Sequence, residues 1–172
     1  MTFDPQPFLR GELLELRPLH AGDFSALYAV ACDPLIWEQH PSPDRYQEPV
    51  FREFFRDAID SGGALLVLDR KEGKVIGSSR YHGFRQSTGE VEVGWTFLAR
   101  SHWGGTYNAE MKRLMLQHAF KSFRSVVLVI GAGNIRSQKA AEKIGAVRAE
   151  SRRTAQGEER IVYRINAPAC AA

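Results

Sequence analysis

Two adjacent glycines, Gly104 and Gly105, stand between a strand-like run, Val91 to Leu98, and a long helical pattern, Tyr107 to Phe123. A Gly-Gly pair lets the backbone turn sharply and lets a ligand approach without Cβ clashes. The helix behind it leaves its first N–H groups unpaired and turns the positive end of its dipole toward the glycines. Strand, glycine turn and helix start together suit a phosphate, although an ordinary tight connection has the same pattern. The absent motifs narrow the choice of ligand. There is no G-x-G-x-x-G, which argues against a dinucleotide site. There is no G-x-x-x-x-G-K-[ST], which argues against a nucleotide P-loop. His40, His82, His102 and His118 lack metal-ligand spacing with acids or cysteines, so no metal is expected.

Periodicity supplies the elements that must hold this turn. Leu13 to Arg17 reads as a strand stopped by Pro18. Asp23 is placed to cap a helix carrying Phe24, Leu27, Tyr28 and Ala31. A proline-rich segment with Trp37 and His40 follows, then a helix with Phe51, Phe54, Phe55 and Ile59 on one face, ended by Gly62-Gly63. Ala64 to Leu68 and Val75 to His82 form a hairpin, and Gly77 suggests a bulge. Glu90 to Leu98 is the strand entering the glycine turn; alternation puts Glu90 and Glu92 on one of its faces. Ser125 to Ile130 has the unbroken apolar pattern of an interior strand. Asn134 and Gly145 bracket a last helix, and Val147 to Thr154 and Arg160 to Ile165 are the final strands. The order β-α-α-β-β-β-α-β-α-β-β predicts an α/β layer structure with a mixed, mostly antiparallel sheet and about four helices.

The 172 residues predict a single domain spanning the chain, with its core at about residues 10 to 165. A net charge of +3 is compatible with an anionic ligand, and no basic block or nucleic-acid motif is present, so no nucleic acid is expected. Cys32 and Cys170 lie far apart, which reads as a reducing, cytoplasmic setting without a disulfide. No apolar run approaches a membrane span, so no membrane is expected.

Several local sequences, in order, resemble the GNAT superfamily of acetyl-CoA-dependent N-acyltransferases. The glycine turn resembles its pyrophosphate loop. Leu13-Leu14-Glu15-Leu16-Arg17-Pro18-Leu19 is similar to the first strand of the branch containing the ribosomal-protein N-terminal acetyltransferases. Lys74-Val75-Ile76-Gly77 and Glu92-Val93-Gly94-Trp95 resemble its third and fourth strands. Asn134-Ile135-Arg136-Ser137 with Glu142-Lys143-Ile144-Gly145-Ala146 resembles its Asn-x-x-Ser and Glu-Lys-Leu-Gly-Phe signature. Two positions depart from the pattern: Ser101 where Gln or Arg is usual, and Thr106 where a second Gly is usual.

The resemblance implies acetyl-CoA as co-substrate and a primary amine, on a peptide N-terminus or a small molecule, as acceptor by direct transfer. A non-catalytic CoA-binding or regulatory module on the same fold is the alternative. Gly104, Gly105, Thr106, Tyr107 and Asn108 would hold the pyrophosphate. Phe97, Leu98 and Ala99 would pair with the pantetheine arm through their backbone. Asn134 would hold pantetheine, or merely cap its helix. Ser137 would face the thiolate, or merely fill the first turn. Glu92 would be the general base, or a solvated edge carboxylate. Trp37, Trp95, Trp103 and Tyr81 would line an acceptor cleft or pack in the core. The chain is expected to act as a monomer or homodimer.

Overall fold

The computed structural model describes residues 2–169, which leaves Cys170 outside the described residues. Eight strands form one sheet in the order β1-β2-β3-β4-β5-β6-β8-β7. They are β1 (Leu9–Arg10), β2 (Leu14–Pro18), β3 (Ala64–Asp69), β4 (Val75–His82), β5 (Glu90–Leu98), β6 (Ser125–Gly131), β7 (Val147–Arg153) and β8 (Glu159–Asn166). Every neighbouring pair is antiparallel except β5 and β6, which are parallel. The parallel step requires a crossover, and α3 (Thr106–Ala119) supplies it. The other helices are α1 (Phe24–Ala31), α2 (Glu48–Asp60) and α4 (Ile135–Lys143).

Two apolar clusters sandwich the first half of the sheet. On one face Leu14, Leu16, Val91 and Val93 pack with Met111 and Met115 of α3. On the other, Leu66 and Phe97 pack with Leu27 of α1 and Phe51, Phe54 and Phe55 of α2. A third cluster joins Leu128 and Ile130 of β6 to Ala141 of α4 and Tyr163 of β8. The apolar spacings in the sequence therefore land on the faces expected of them.

The structure differs from the sequence reading in several places. Strand β1 is two residues long, too short to leave a periodic signal. Pro18 ends β2 from inside rather than before it, opposite Leu65. Helix α3 stops at Ala119, and Phe120 to Phe123 form a closing turn. Asp23 does not cap α1 with its side chain. Its carboxylate instead takes both Nη groups of Arg17, at 2.8 and 2.9 Å, and the His20 N–H. A bidentate charged pair outcompetes a single cap bond. Tyr81 is fully buried and donates its hydroxyl to the Met115 carbonyl at 2.7 Å, so it is core rather than cleft.

Gly77 sits at a bulge, where the β3–β4 register slips between Val67 and Leu68. A Cβ there would meet the Phe97 carbonyl oxygen at 2.0 Å. Gly145, with φ +89°, closes α4: its own N–H and that of Ala146 bond back to Glu142 and Ala141.

Candidate active site

Strands β5 and β6 pair only at Glu90–Ser125, Val91–Val126 and Glu92–Val127. Beyond that point they diverge, so β5 keeps β4 alone as partner and β6 keeps β8 alone. The wedge between them holds a cleft of about 600 Å³. It is lined by Val93 to Leu98, by Leu128 to Gly131, and by the starts of α3 and α4.

A bulge in β5 accompanies the divergence. The β4–β5 register shifts between Ser78 and Arg80, and Trp95 carries φ +51°, the one non-glycine residue with positive φ among those described. Such a backbone is unfavourable for a bulky residue and tends to mark a functional constraint. The extra residue breaks the alternation expected for this strand. Val91, Val93 and Leu98 pack on the α3 side, while Trp95 and Phe97 pack on the α1–α2 side.

At one end of the cleft lies the glycine turn. Gly104 and Gly105 have φ +111° and +104°, and nothing lies within 4 Å of a Cβ built on either. They absorb the left-handed backbone, so Thr106 starts the helix without strain. Gly104, Gly105 and Asn108 line the cleft; Thr106 and Tyr107 do not. Tyr107 instead anchors the turn from behind. Its hydroxyl donates to Asp69 at 3.3 Å, and the His102 ring stands edge-on to it at 4.7 Å and 3.7 Å from Asp69. Ser101, one of the two departures, contacts His102 Nδ1 at 2.8 Å. Phe97 and Leu98 line the cleft. The Ala99 N–H is already bonded to Ile76, and the Leu98 carbonyl accepts the Trp103 indole N–H at 2.9 Å.

Asn134 caps α4, its Oδ1 accepting the Ser137 N–H at 3.2 Å, and both residues also line the cleft. The cap and the cleft wall are therefore the same residues. The Ser137 hydroxyl bonds to no other described residue.

Glu92 and Glu90 have different surroundings. The Glu90 carboxylate is tied to Arg164 at 2.9 Å and Ser125 at 3.3 Å. Glu92 has no hydrogen bond or ion pair with another described residue. It lines a separate recess of about 490 Å³, with His82, Arg124 and Arg152. Its Oε1 nevertheless lies 3.5 Å from where a Cβ on Gly94 would sit, and Gly94 lines the large cleft. Burial pushes its carboxyl up to about 7, against the opposing pull of Arg152 and Arg80.

Three residues that the sequence reading did not select also line the cleft: Lys112, Arg136 and Arg160. Lys112 is 6% exposed, donates to the Thr96 hydroxyl at 2.6 Å, and is pushed down to about 7 by burial. Arg136 lies 4.1 Å over the Trp103 ring and pairs with Glu38 at 3.0 Å, which bridges the mouth of the cleft. A lysine in a helix pattern carries no sequence signal of burial, and these arginines look like surface charge. Among the described residues no cluster of His, Cys, Asp or Glu could hold a metal ion, and no helix is long and apolar enough to cross a membrane.

A family model described as acetyltransferase (GNAT) domain matches residues 14–147. The chain belongs to the GNAT acetyltransferases. It is an acyltransferase, and the GNAT family uses acetyl-CoA. Solved structures agree on the fold. An acetyltransferase from Agrobacterium tumefaciens str. C58 is similar at 27% identity and TM-score 0.74, covering 94% of this chain and 95% of that one. A GCN5-related N-acetyltransferase from Brucella melitensis is similar at 19% identity and TM-score 0.79, covering 94% and 79%. The ribosomal-protein-S5-alanine acetyltransferase from Vibrio fischeri is similar at 15% identity and TM-score 0.69, covering 93% and 96%. A search of curated proteins returns no match. The GNAT assignment thus rests on the family model, with the mixed sheet and its four helices in accord.

Proposed function

We propose that this GNAT protein transfers the acetyl group of acetyl-CoA directly to a primary amine. The observation that carries this reading is the open wedge between β5 and β6, with a glycine turn and helix start at one end and, in the recess beside it, the half-buried Glu92 carboxylate reaching toward Gly94 of the cleft wall. The pyrophosphate of the donor lies at Gly104, Gly105 and Asn108, where unpaired N–H groups meet the helix dipole. The arm lies along Phe97 and Leu98, whose strand edge has no partner in β6. Edge pairing of this kind gives affinity through main-chain hydrogen bonds. Asn134 and Ser137 flank the arm.

Glu92 takes the proton from the acceptor ammonium, directly or through water. A carboxyl near 7 is well matched to that task at neutral pH. The neutral amine then attacks the thioester carbon; as the tetrahedral adduct collapses the C–S bond breaks, and the proton that the nitrogen sheds passes to the sulfur leaving beside the Ser137 hydroxyl, giving amide and free CoA thiol. Cys32 is exposed and does not line the cleft, which favours direct transfer over an acyl-cysteine relay.

The test is thiol release from acetyl-CoA with a panel of amines: peptide N-termini, amino acids, polyamines and aminoglycosides. Release above hydrolysis background is expected with at least one class. Gly105→Pro cannot adopt φ +104° and should abolish measurable CoA binding in calorimetry with the fold retained. Wild-type affinity in that variant would remove the pyrophosphate from the glycine turn.

A further inference from the structure

Among the described residues, the only buried side-chain nitrogens without a hydrogen-bond partner are Arg45 Nε, Arg80 Nε and Arg80 Nη2. All three belong to one cluster on the α1–α2 side of the sheet. Arg80, on β4, is 5% exposed. Its guanidinium lies 4.6 Å over Trp95 and 5.6 Å over Phe54. Arg45 is half-buried, 4.5 Å over the same Phe54 and 5.3 Å over Trp37. Aromatic faces hold the two flat cations but leave their N–H edges unanswered.

The acids nearby do not answer them. Asp44 and Asp57 act on Arg45, and Asp57 and Glu92 on Arg80, at range only. Neither arginine forms an ion pair within 4.0 Å with a described residue. Arg160 adds a third cation in range of Arg45. Burial, with the neighbouring cations in the case of Arg45, pushes both guanidiniums down to about 10.

His40 adds a donor whose one neighbour is another donor. Its Nδ1 accepts the Ser42 N–H at 2.9 Å, so in the neutral ring the proton sits on Nε2. That Nε2–H faces Arg45 Nη1 at 3.4 Å, donor against donor. Burial and the arginines hold the ring neutral down to about 3. A buried set of donors with no protein acceptor is costly, and it marks a place for a water, an anion or a ligand group to answer them.

Arg45 and Arg80 stand behind the cleft wall and adjoin it through Trp37, His40, Trp95 and Arg160, all of which line it. We infer that Arg45 and Arg80 form an oxyanion seat, and that the acceptor is a primary amine carrying a carboxylate. The inference rests on the amine-transfer reading above and narrows its substrate. The amine would lie toward Glu92 and the carboxylate toward the guanidinium edges, so one acceptor spans base and seat. A planar fork of N–H donors matches a carboxylate in two parallel bonds.

The test compares acids with their own amides as acceptors, by thiol release from acetyl-CoA. One arm uses alanine, β-alanine and 4-aminobutyrate against their primary amides. The other uses peptides with Asp against Asn at the second position. We expect kcat/KM at least about 10-fold higher for the acid in one arm, the scale of a charge-assisted hydrogen bond. The arm that responds tells a free amino acid from an acidic peptide. In Arg80→Met and in Arg45→Gln the acid-over-amide ratio should fall toward one.

Arg80→Met also separates binding from structure. Replacing an unpaired buried charge by an apolar side chain of similar length should raise the melting temperature, whereas a structural arginine would lower it. Amides used as well as acids in both arms, or a preference that survives both variants, overturns the seat. Acetylation of a polyamine or an aminoglycoside with neither arm responding also overturns the seat; if CoA binds and no amine in either arm or in the wider panel is acetylated, the amine-transfer reading fails instead. The seat is then judged on ligand binding alone. Millimolar acid, and not its amide, should stabilise the wild type more than Arg80→Met; equal stabilisation overturns it.

Discussion

At the scale of single residues, burial shifts an acid and a base with opposite consequences. Glu92 holds its proton more tightly folded than unfolded, so its contribution to stability falls as pH rises from 4.5 to about 7. His40 works the other way below 6.5, so the Glu92 contribution is isolated by comparing wild type with Glu92→Gln. In catalysis that variant should lower kcat/KM by roughly 10²-fold, the usual scale for losing a general base. The defect should shrink at high pH, where the amine deprotonates unaided. A variant with the wild-type pH profile would leave solvent as the proton acceptor. Lys112 is the mirror case. Unfolded it titrates near 10.5, folded near 7, so the unfolded chain binds more protons between those values and stability rises with pH across them. Lys112→Met keeps the volume and removes the charge. It should raise the melting temperature at pH 7 and below, with the advantage fading toward pH 10. An equal advantage at both ends would mean that Lys112 does not titrate in this window. Of these groups only Glu92 was legible in the sequence, through its place before Gly94 and Trp95. The burial of Lys112 comes from tertiary packing that a helix period does not encode.

At the scale of elements, the glycine turn is placed by contacts far from it in sequence. The Glu110 carboxylate, one turn into α3, accepts the N–H groups of Glu12, Leu13 and Leu14 at 2.8 to 2.9 Å. Gly11 makes room for it, since a Cβ there would meet Glu110 Cδ at 2.4 Å. This staple fixes the start of α3 against the start of β2. Glu110→Ala leaves those amides unanswered. It should cost on the order of 2–3 kcal/mol, or about 5–10 °C in melting temperature for a chain of this size. A change under about 2 °C would show that water replaces the carboxylate at little cost. No sequence pattern announces this contact, because it joins residues nearly a hundred positions apart. The hairpin, the interior strand β6 and the Asn134 cap were legible, because period, turn chemistry and capping are local. The bulge at Trp95 was not, because an aromatic residue is a poor marker of positive φ.

At the scale of the whole molecule, the divergence of β5 from β6 makes a place for two substrates. The sheet is continuous at one end of this strand pair and open at the other, so one chain supplies both walls of the cleft. The outermost strand, β7, is exposed along its length and carries Arg148, Glu150, Arg152 and Arg153. Charges of this kind discourage edge-to-edge pairing with other chains. Apart from the two-residue β1, the order of strands and helices, and with it the family, was legible from the sequence; the cleft itself was not, since it arises where pairing stops. The open wedge has also gathered the chain's three tryptophans, Trp37, Trp95 and Trp103, onto its walls. Trp37 and Trp95 stand beside the paired guanidiniums, and Trp103 stands under Arg136 at the mouth. Intrinsic fluorescence is therefore a local signal of cleft occupancy without any label. Titration with CoA should change the emission, and Trp103→Phe should remove most of that change while leaving the response to an acceptor. A CoA response undiminished in Trp103→Phe would mean that the mouth stays as it is when the donor enters.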